Sequence, residues 1–227
     1  MIRLFSFYFY YLGKSMKKIV VLISGQGMNL QAIIDACSTG KIDAQVAAVI
    51  SNKSDAYGLV RAKKVKIPTV VFSRKSFQSN LEMDNAIAEY IENLGADLIV
   101  LAGYMKILTA EFTQRFAGKI LNIHPSLLPK YPGLNTYQQA LQAGDKEHGT
   151  TVHFVTEELD GGAVILQAKV PIFPGDQIMD IEQRVKIQEL QIYPLVVKWF
   201  IDGRLQFISG RAYLDQQLLP PTGYASE

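Results

Sequence analysis

The chain has 227 residues, of which 48% are hydrophobic and 19% are charged, with a formal net charge of +2. This length allows one large domain or two small ones, and the small charge argues against nucleic acid or an acidic membrane surface as a partner. The single cysteine, Cys37, excludes a disulfide framework and a cysteine-based zinc site, and it favours a reducing compartment such as the cytoplasm.

The first fifteen residues, MIRLFSFYFYYLGKS, are expected to lie outside the fold. Their apolar stretch, residues 4–12, is rich in aromatic residues and lacks the cleavage site of a secretory signal, and it is too short to span a bilayer. Met16 stands directly before KKIVVLIS, which is typical of a buried strand. We therefore predict that residues 1–15 are a mis-assigned start or a disordered extension and that residues 16–227 form a single domain.

Apolar strands and amphipathic helices alternate over the first half of the chain. We predict strands at residues 17–24, 44–51, 67–72, 96–103 and 119–124, and helices at residues 29–40, 55–66, 80–95 and 109–116. The strands are nearly continuous apolar runs, as expected for strands that are covered on both faces. The alternation predicts an α/β fold, with an open, mostly parallel sheet and crossover helices on both faces.

The pattern changes after a proline-rich loop, PSLLPKYPG, at residues 125–133. Beyond it we predict a short helix at 136–144, two strands at 149–156 and 163–172 joined by EELDGG, a long helix at 176–199 and a small hairpin at 203–214. The sequence contains no linker, repeat or low-complexity segment. The second half is therefore predicted to complete the same domain in a less regular way.

The loop SGQGMNL follows the first predicted strand and opens the first helix. Gly25 and Gly27 allow a tight turn, and the helix N-terminus offers free N–H groups to an anion. A dinucleotide-binding fingerprint would require glycine in place of Leu30 and an acidic residue at the end of the second strand, which ends in SNK instead. The loop thus favours a phosphate monoester over a dinucleotide, although two glycines alone are equally consistent with a tight turn that binds no ligand.

The fifth predicted strand ends in LNIH, at the edge where a parallel sheet binds its ligands. Asn122 and His124 alternate with apolar residues, so their side chains point to the same side, and the prolines that follow hold this exit in place. His153 lies on a later strand and Asp160 follows it in ELDGG, so an amide, an imidazole and a carboxylate converge if these strands are neighbours. His148, and in part His153, are interpreted as packed core residues.

Three kinds of chemistry use such a set of side chains. Nucleophilic catalysis is not supported, since Cys37 is distant in sequence and no serine lies in an elbow motif. A metal site from His124, His153 and Asp160 lacks the short spacings of helix-borne zinc sites but stays open. Direct acyl transfer fits better, because Asn122 and His124 can stabilise an oxyanion, while Asp160 can move a proton and favour the protonated imidazole.

These residues together resemble one family, the folate-dependent phosphoribosylglycinamide formyltransferases. The matching stretches are VVLISGQGMNLQAIIDA, LAGYMKIL, LNIHPSLLPKYPGLNTYQQAL, HGTTVHFVTEELDGGAVILQAKV and RVKIQELQIYPLV. The NIH and SLLP core is shared with other folate-dependent formyltransferases, whereas the SGQGMN loop narrows the resemblance to the nucleotide enzyme. The resemblance implies a Rossmann-like formyltransferase fold with an N-terminal nucleotide-phosphate half and a C-terminal folate and catalytic half.

The resemblance also implies roles for individual residues. The implied catalytic residues are Asn122, His124 and Asp160. The implied substrate-binding residues are Gly27, Met28, Asn29 and Glu189, and the implied folate-binding residues are Asn80, Met105, Lys106, Ile107, Leu108 and Asn122. Two positions depart from the family pattern, because Met28 replaces a common serine and Asn80 replaces a common arginine.

The implied reaction moves a formyl group from 10-formyltetrahydrofolate, the co-substrate, to the amine of glycinamide ribonucleotide in purine synthesis, without a metal. The implied partners are these small molecules alone, with no nucleic acid or membrane, for a monomer or homodimer. The alternatives are a formyltetrahydrofolate hydrolase or a methionyl-tRNA formyltransferase, each expected to carry a further domain. From other classes, a metal-dependent hydrolase and a non-catalytic ribonucleotide-binding module also stay open.

Overall fold

The computed structural model describes residues 15–224, so the prediction for residues 1–15 lies outside the described residues apart from Ser15. The strands are β1 Lys17–Ile23, β2 Ala44–Ser51, β3 Thr69–Val71, β4 Leu98–Leu101, β5 Ile120–His124, β6 Glu147–Phe154, β7 Val164–Pro171, β8 Leu205–Ile208, β9 Arg211–Leu214 and β10 Gln217–Leu218. The α-helices are α1 Met28–Ser38, α2 Tyr57–Lys64, α3 Asn80–Leu94, α4 Ala110–Arg115, α5 Thr136–Ala143 and α6 Ile178–Ile201.

The main sheet has seven strands in the order β3-β2-β1-β4-β5-β6-β7. Strands β1 to β5 pair in parallel, whereas β6 and β7 add antiparallel strands at one edge. A separate sheet of three short strands, β10-β9-β8, includes the predicted hairpin. The prediction of an open, mostly parallel α/β sheet is therefore confirmed.

The central strand β1 shows why this sheet is covered on both faces. Five consecutive residues, Ile19 to Ile23, have no exposed surface. Ile19, Val21 and Ile23 belong to a core cluster that includes residues of α1 and α6, whereas Val20 and Leu22 belong to a cluster that includes residues of α3 and α4. Because side chains alternate along a strand, one apolar run feeds two cores.

Local capping chemistry sets the limits of the helices. The Ser79 side chain caps α3 at its start, and Gly95 ends the helix in the left-handed conformation, with φ of 63°. Helix α6 begins later than the predicted residue 176, because Gln177 and Asp180 form a capping box. Within residues 15–224, no helix combines the length and the hydropathy needed to cross a membrane.

The topology brings several loops to one edge of the sheet. Strands β2 and β4 flank β1 on opposite sides, so the chain order reverses beside β1, and ligands of open α/β sheets bind at such a point. The loops that follow β1, β4 and β5 all leave this carboxyl edge. Strand β6 pairs antiparallel with β5, which places His153 opposite Asn122 and Thr151 opposite His124.

Candidate active site

A cavity of about 510 Å³ lies at this edge and is lined by residues 103–108 after β4 and by residues of β5, β6 and the loop that follows β6. Its volume is typical of sites for small molecules. Asn122, His124, His153 and Asp160 all line it. The structure thus brings the three predicted catalytic side chains into one cavity, together with a histidine that was interpreted in part as packing.

His124 ends β5 and lies beside Asp160. Its Nδ1 is 3.4 Å from an Asp160 oxygen, and both side chains are less than 10% exposed. The other ring nitrogen, Nε2, lies 2.8 Å from the backbone carbonyl of Tyr131. Because a carbonyl only accepts hydrogen bonds, Nε2 carries a hydrogen and donates it to Tyr131. Nδ1 is therefore the nitrogen left for chemistry.

Asp160 sits in the loop between β6 and β7, in the left-handed conformation with φ of 51°. Its Oδ2 accepts a hydrogen bond of 2.9 Å from the Gly133 amide, so the proline-rich loop holds the carboxylate. Its Oδ1 lies 3.7 Å from Nε2 of His153. Asp160 therefore stands between two imidazoles, with the closer contact to His124.

His153 orients the amide of Asn122. Its Nδ1 donates to the Phe154 carbonyl at 2.8 Å, and its Nε2 lies 3.2 Å from the Asn122 side-chain nitrogen. Burial lowers the pKa of His153 to about 4, so the ring is neutral near pH 7 and Nε2 accepts from Asn122. One N–H of Asn122 is held by this contact, and its other N–H is free to bind a ligand oxygen.

The buried neutral His153 predicts a pH-dependent stability. Its pKa is 6.5 in an ordinary environment and about 4 in the fold, so the unfolded chain binds the proton more tightly. This contribution is intact above pH 6.5 and is lost as the pH falls toward 4, at a cost of about 3 kcal/mol.

Urea unfolding of the wild type and of His153→Gln across this pH range measures the effect. Asp160 and His124, the charged or titratable groups that act on the ring, are the same in both proteins. The variant should lose stability less steeply on acidification. Equal slopes for the two proteins would contradict a neutral, buried His153.

A metal site does not fit the observed donors. Nε2 of His124 and Nδ1 of His153 both face carbonyl oxygens, and Nε2 of His153 faces the Asn122 amide nitrogen. Only one ring nitrogen beside Asp160 is left to bind a cation. Across residues 15–224, no group of three or more His, Cys, Asp or Glu side chains is arranged to hold a metal ion.

The predicted folate segment, Met105 to Leu108, forms one wall of the cavity. Met105 and Ile107 are 69% and 68% exposed, whereas Leu108 is buried. The Met105 amide donates to the Ser24 hydroxyl at 2.8 Å, which ties this segment to the loop after β1. Asn80, in contrast, lies exposed at the start of α3 and is not among the residues that line the cavity.

The Asp84 carboxylate anchors the segment at residues 106–109, a role that the sequence did not suggest. Its side chain is fully buried on α3, one oxygen lies 2.6 Å from Nζ of Lys106, and the other accepts from the Thr109 amide at 2.8 Å. Both ends of the 106–109 stretch are thus bound to one carboxylate. The only signal in the sequence is that the acidic Asp84 follows Met83 and lies, with Ile87, on the face of α3 that is buried.

The glycine loop is shaped by close contact between α1 and α2. Gly27 has φ of 70°, and a Cβ at this position would lie 2.7 Å from Cα of Gly58. The Arg61 guanidinium donates to the Gln26 carbonyl at 2.8 Å and contacts the Met28 sulfur at 3.1 Å. Arg61 therefore stabilises the glycine loop. From the sequence, this arginine was recognised only as one of the basic residues in the second predicted helix.

Asn29 and Glu189 meet across 160 positions of the chain, with 2.9 Å between the Asn29 nitrogen and a Glu189 oxygen. Burial raises the pKa of Glu189. The Asn29 side-chain oxygen is buried and has no hydrogen-bond partner within residues 15–224. The predicted substrate-binding residues at the two ends of the chain are thus brought together, with an acceptor left for a ligand.

Comparisons with known proteins identify the family. The family described as formyl transferase matches residues 17–197. Phosphoribosylglycinamide formyltransferase of Haemophilus influenzae is 70% identical over 212 residues, which cover 93% of this chain and 100% of the relative. The chain belongs to the phosphoribosylglycinamide formyltransferase family. The Escherichia coli phosphoribosylglycinamide formyltransferase is 58% identical over 209 residues, or 92% of this chain and 99% of the relative.

A solved formyltransferase structure agrees with this family. The phosphoribosylglycinamide formyltransferase from Coxiella burnetii superposes with a TM-score of 0.89 at 45% identity, and the match covers 92% of this chain and 99% of that chain. The predicted family, α/β fold and enzyme class are therefore confirmed for this formyltransferase. The roles predicted for its individual side chains stay predictions.

Proposed function

We propose that this formyltransferase moves the formyl group of 10-formyltetrahydrofolate to the primary amine of phosphoribosylglycinamide, in purine biosynthesis. The observation that carries the assignment of roles is the contact of 3.4 Å between His124 and Asp160 in a cavity that Asn122 also lines. The names of the relatives from Haemophilus influenzae and Escherichia coli support the acceptor. The small net charge supports small-molecule substrates, without nucleic acid or a membrane.

The reaction is a direct transfer. The amine nitrogen bonds to the formyl carbon, the formyl oxygen gains negative charge, and the bond from that carbon to the folate nitrogen then breaks. One proton leaves the amine and ends on the folate nitrogen. No acyl-enzyme is required, which agrees with a cavity that offers donors and a carboxylate around His124 and has no serine or cysteine among its described lining residues.

His124 and Asn122 are proposed to bind the oxygen while it is charged. Nε2 of His124 is engaged by Tyr131, so a protonated His124 donates through Nδ1. The separation of 3.4 Å from Asp160 is longer than a strong charge-assisted hydrogen bond, so this N–H retains capacity for a second acceptor. The free N–H of Asn122 is the second donor. Two donors aimed at developing charge stabilise the transition state more than the ground state.

Asp160 is proposed to relay the proton from the amine to the folate nitrogen through a bound water. Its side chain is only 8% exposed, and backbone and imidazole contacts hold it in place. A carboxylate that is already oriented needs little reorganisation when the proton moves.

The folate is proposed to lie against residues 105–108, where backbone groups and exposed apolar side chains face the cavity. Tyr104 lines the same cavity, and its buried hydroxyl has no hydrogen-bond partner among the described residues. This apolar wall with a few polar groups fits a flat heterocycle with hydrogen-bonding edges. The folate supplies the formyl group that is transferred.

The ribonucleotide is proposed to bind at the glycine loop. The N-terminus of α1 follows Gly27 and supplies free backbone N–H groups for the phosphate, which offsets the missing hydroxyl at Met28. Glu189 and Asn29 are proposed to bind the ribose. This placement needs residues from both halves of the chain, since α6 carries Glu189 to the loop.

The test is a folate absorbance assay with purified protein and phosphoribosylglycinamide as acceptor. Loss of 10-formyltetrahydrofolate that depends on the acceptor, with formation of the N-formyl product, is expected. Turnover to free formate without acceptor would indicate a hydrolase, and binding without turnover would indicate a binding module. Activity that a chelator abolishes and zinc restores would favour the metal-dependent alternative.

We expect a protein that begins at Met16 to keep full turnover. Every residue proposed to act lies between Gly25 and Glu189, and β1 begins at Lys17. Comparison of kcat and KM for chains that begin at Met1 and at Met16 checks this. A large loss in the shorter protein would assign a role to residues 1–15.

We also propose that the enzyme acts in the cytoplasm, as a monomer or homodimer.

A further inference from the structure

A second cavity of about 530 Å³ lies behind the proline-rich loop and is lined by residues that include Lys130, Tyr131, Asp145 and His148. Tyr131 and Asp145 are not among the residues that line the 510 Å³ cavity of the candidate active site, which we call the reaction cavity. His148 is buried and packs against the rings of Tyr131 and Tyr137, with centroids 6.3 and 5.3 Å apart. Its interpretation as a packed core residue agrees with this placement.

The turn at residues 130–133 contacts both proposed catalytic side chains. The Tyr131 carbonyl accepts from Nε2 of His124 at 2.8 Å, and the Gly133 amide donates to Asp160 at 2.9 Å. The distance between the imidazole and the carboxylate therefore depends on the position of one short turn. Any change in this turn alters the geometry of His124 and Asp160 together.

The backbone of this turn is held in an unfavourable conformation. Tyr131 has φ of 54°, which lies in the left-handed region that residues with a bulky side chain rarely adopt. Such a conformation persists only where surrounding contacts impose it. In return, it turns the Tyr131 carbonyl toward His124.

The contacts that hold Tyr131 come from outside the reaction cavity. Its hydroxyl donates to Asp145 at 2.9 Å, and Nζ of Lys130 donates to both oxygens of Asp145 at 3.0 Å. The buried Ser126 hydroxyl also donates to the Lys130 carbonyl at 2.6 Å. Asp145 follows the C-cap of α5, and its amide donates to the Ala140 carbonyl at 3.1 Å, so these contacts anchor the turn to the end of that helix.

We propose that Asp145 and the Tyr131 hydroxyl are positioning groups that hold the 130–133 turn and thereby align His124 and Asp160. The proposal rests on the catalytic role proposed above for His124. Neither Tyr131 nor Asp145 is among the residues that line the cavity of the candidate active site. Loss of either positioning group should displace the catalytic side chains without altering the surfaces that bind the substrates. Such a displacement lowers the rate of the chemical step and leaves substrate binding intact.

The test compares Tyr131→Phe, Asp145→Ala and the double variant. We expect each single variant to lower kcat by roughly 10-fold, with KM for both substrates unchanged. Because both changes remove the same hydrogen bond, the double variant should be no slower than the slower single one. Asp145→Asn keeps an oxygen acceptor for the phenol and should restore most of the turnover.

A spectroscopic readout separates positioning from general stability. The chain has three histidines, so the imidazole nitrogen signals can be assigned by NMR with His124→Ala. The His124 signals should shift in Tyr131→Phe by more than those of His153, whose Nδ1 is held by the Phe154 carbonyl outside the turn. Glu147→Ala is the matched control, because Glu147 lines the same cavity and pairs with Lys169 instead of Tyr131.

Wild-type kcat and unshifted His124 signals in Tyr131→Phe would overturn the proposal. A folded Tyr131→Phe that loses turnover while Asp145→Asn keeps it would support the proposal even if Asp145→Ala failed to fold. His124→Ala is assayed in parallel, since wild-type turnover in that variant would defeat the proposed catalytic role instead. The two failures are therefore distinguishable.

Discussion

We expect His124→Ala to lower kcat by roughly 10²–10³-fold, because it removes one of the two donors that we propose for the charged formyl oxygen. The buried position of the ring, beside Asp160 and tied to Tyr131, leaves no other side chain in the observed contacts to take over this hydrogen bond. Residues 105–108, against which we propose that the folate binds, are on a separate loop and are unaltered in His124→Ala. Folate affinity should therefore be retained.

Steady-state kinetics and folate titration of the same preparation measure the two effects separately. Asp160→Asn, which keeps the shape and hydrogen-bonding capacity but loses the basic oxygen, should lower kcat by roughly 10²–10⁴-fold. An equal loss of kcat and of kcat/KM is the signature of an interaction made only in the transition state. Near-normal turnover in either variant would remove the role assigned to that residue.

The second large effect is on stability. We expect Lys106→Met to lower the free energy of unfolding by about 3–5 kcal/mol, because it leaves the fully buried carboxylate of Asp84 without its cation. The Thr109 amide alone then faces that charge. The loss should also weaken folate binding, since the segment above Asp84 is no longer held.

Urea denaturation measures this loss of stability, and two further variants test whether it comes from the unpaired, buried charge of Asp84. The double variant Asp84→Leu, Lys106→Met removes both charges and should recover most of the lost stability. Lys198→Met is the matched control, because its pair with Asp202 is exposed on α6 and contributes less than about 1 kcal/mol. An equal loss in Lys106→Met and Lys198→Met would show that the buried pair is not special.

Much of the fold was predictable because its signals are local. The continuous apolar run of β1 predicts a strand covered on both faces, and Ile19 and Val20 do face different cores. Serine and glycine at the ends of α3 set its limits through contacts within a few residues. The strand ends were less predictable, as for β4, which is shorter than the apolar run that contains it, because sheet pairing decides where a strand stops.

The candidate site was predictable only in part. Alternation along β5 placed Asn122 and His124 on one side, and Asp160 was expected to converge with them if the strands were neighbours. The resemblance then implied a catalytic role for all three. The contact of His153 with Asn122 depends on the register of β5 and β6. The roles of Asp84 and Tyr131 depend on contacts between separate elements, and neither residue stands in a pattern that sequence periodicity reveals.

The sequence by itself determined the order of strands and helices along the chain, the edge of the sheet at which we propose that the substrates bind, and the family. These features follow from periodicity, capping and motifs, whose physical causes act over a few neighbouring residues. Only the tertiary structure decided which ring nitrogen of His124 is free, what holds the folate segment, and how the 130–133 turn is anchored. Those features depend on hydrogen bonds between separate segments, 7 to 27 positions apart in the chain, whose distances and directions are set only when the elements pack together.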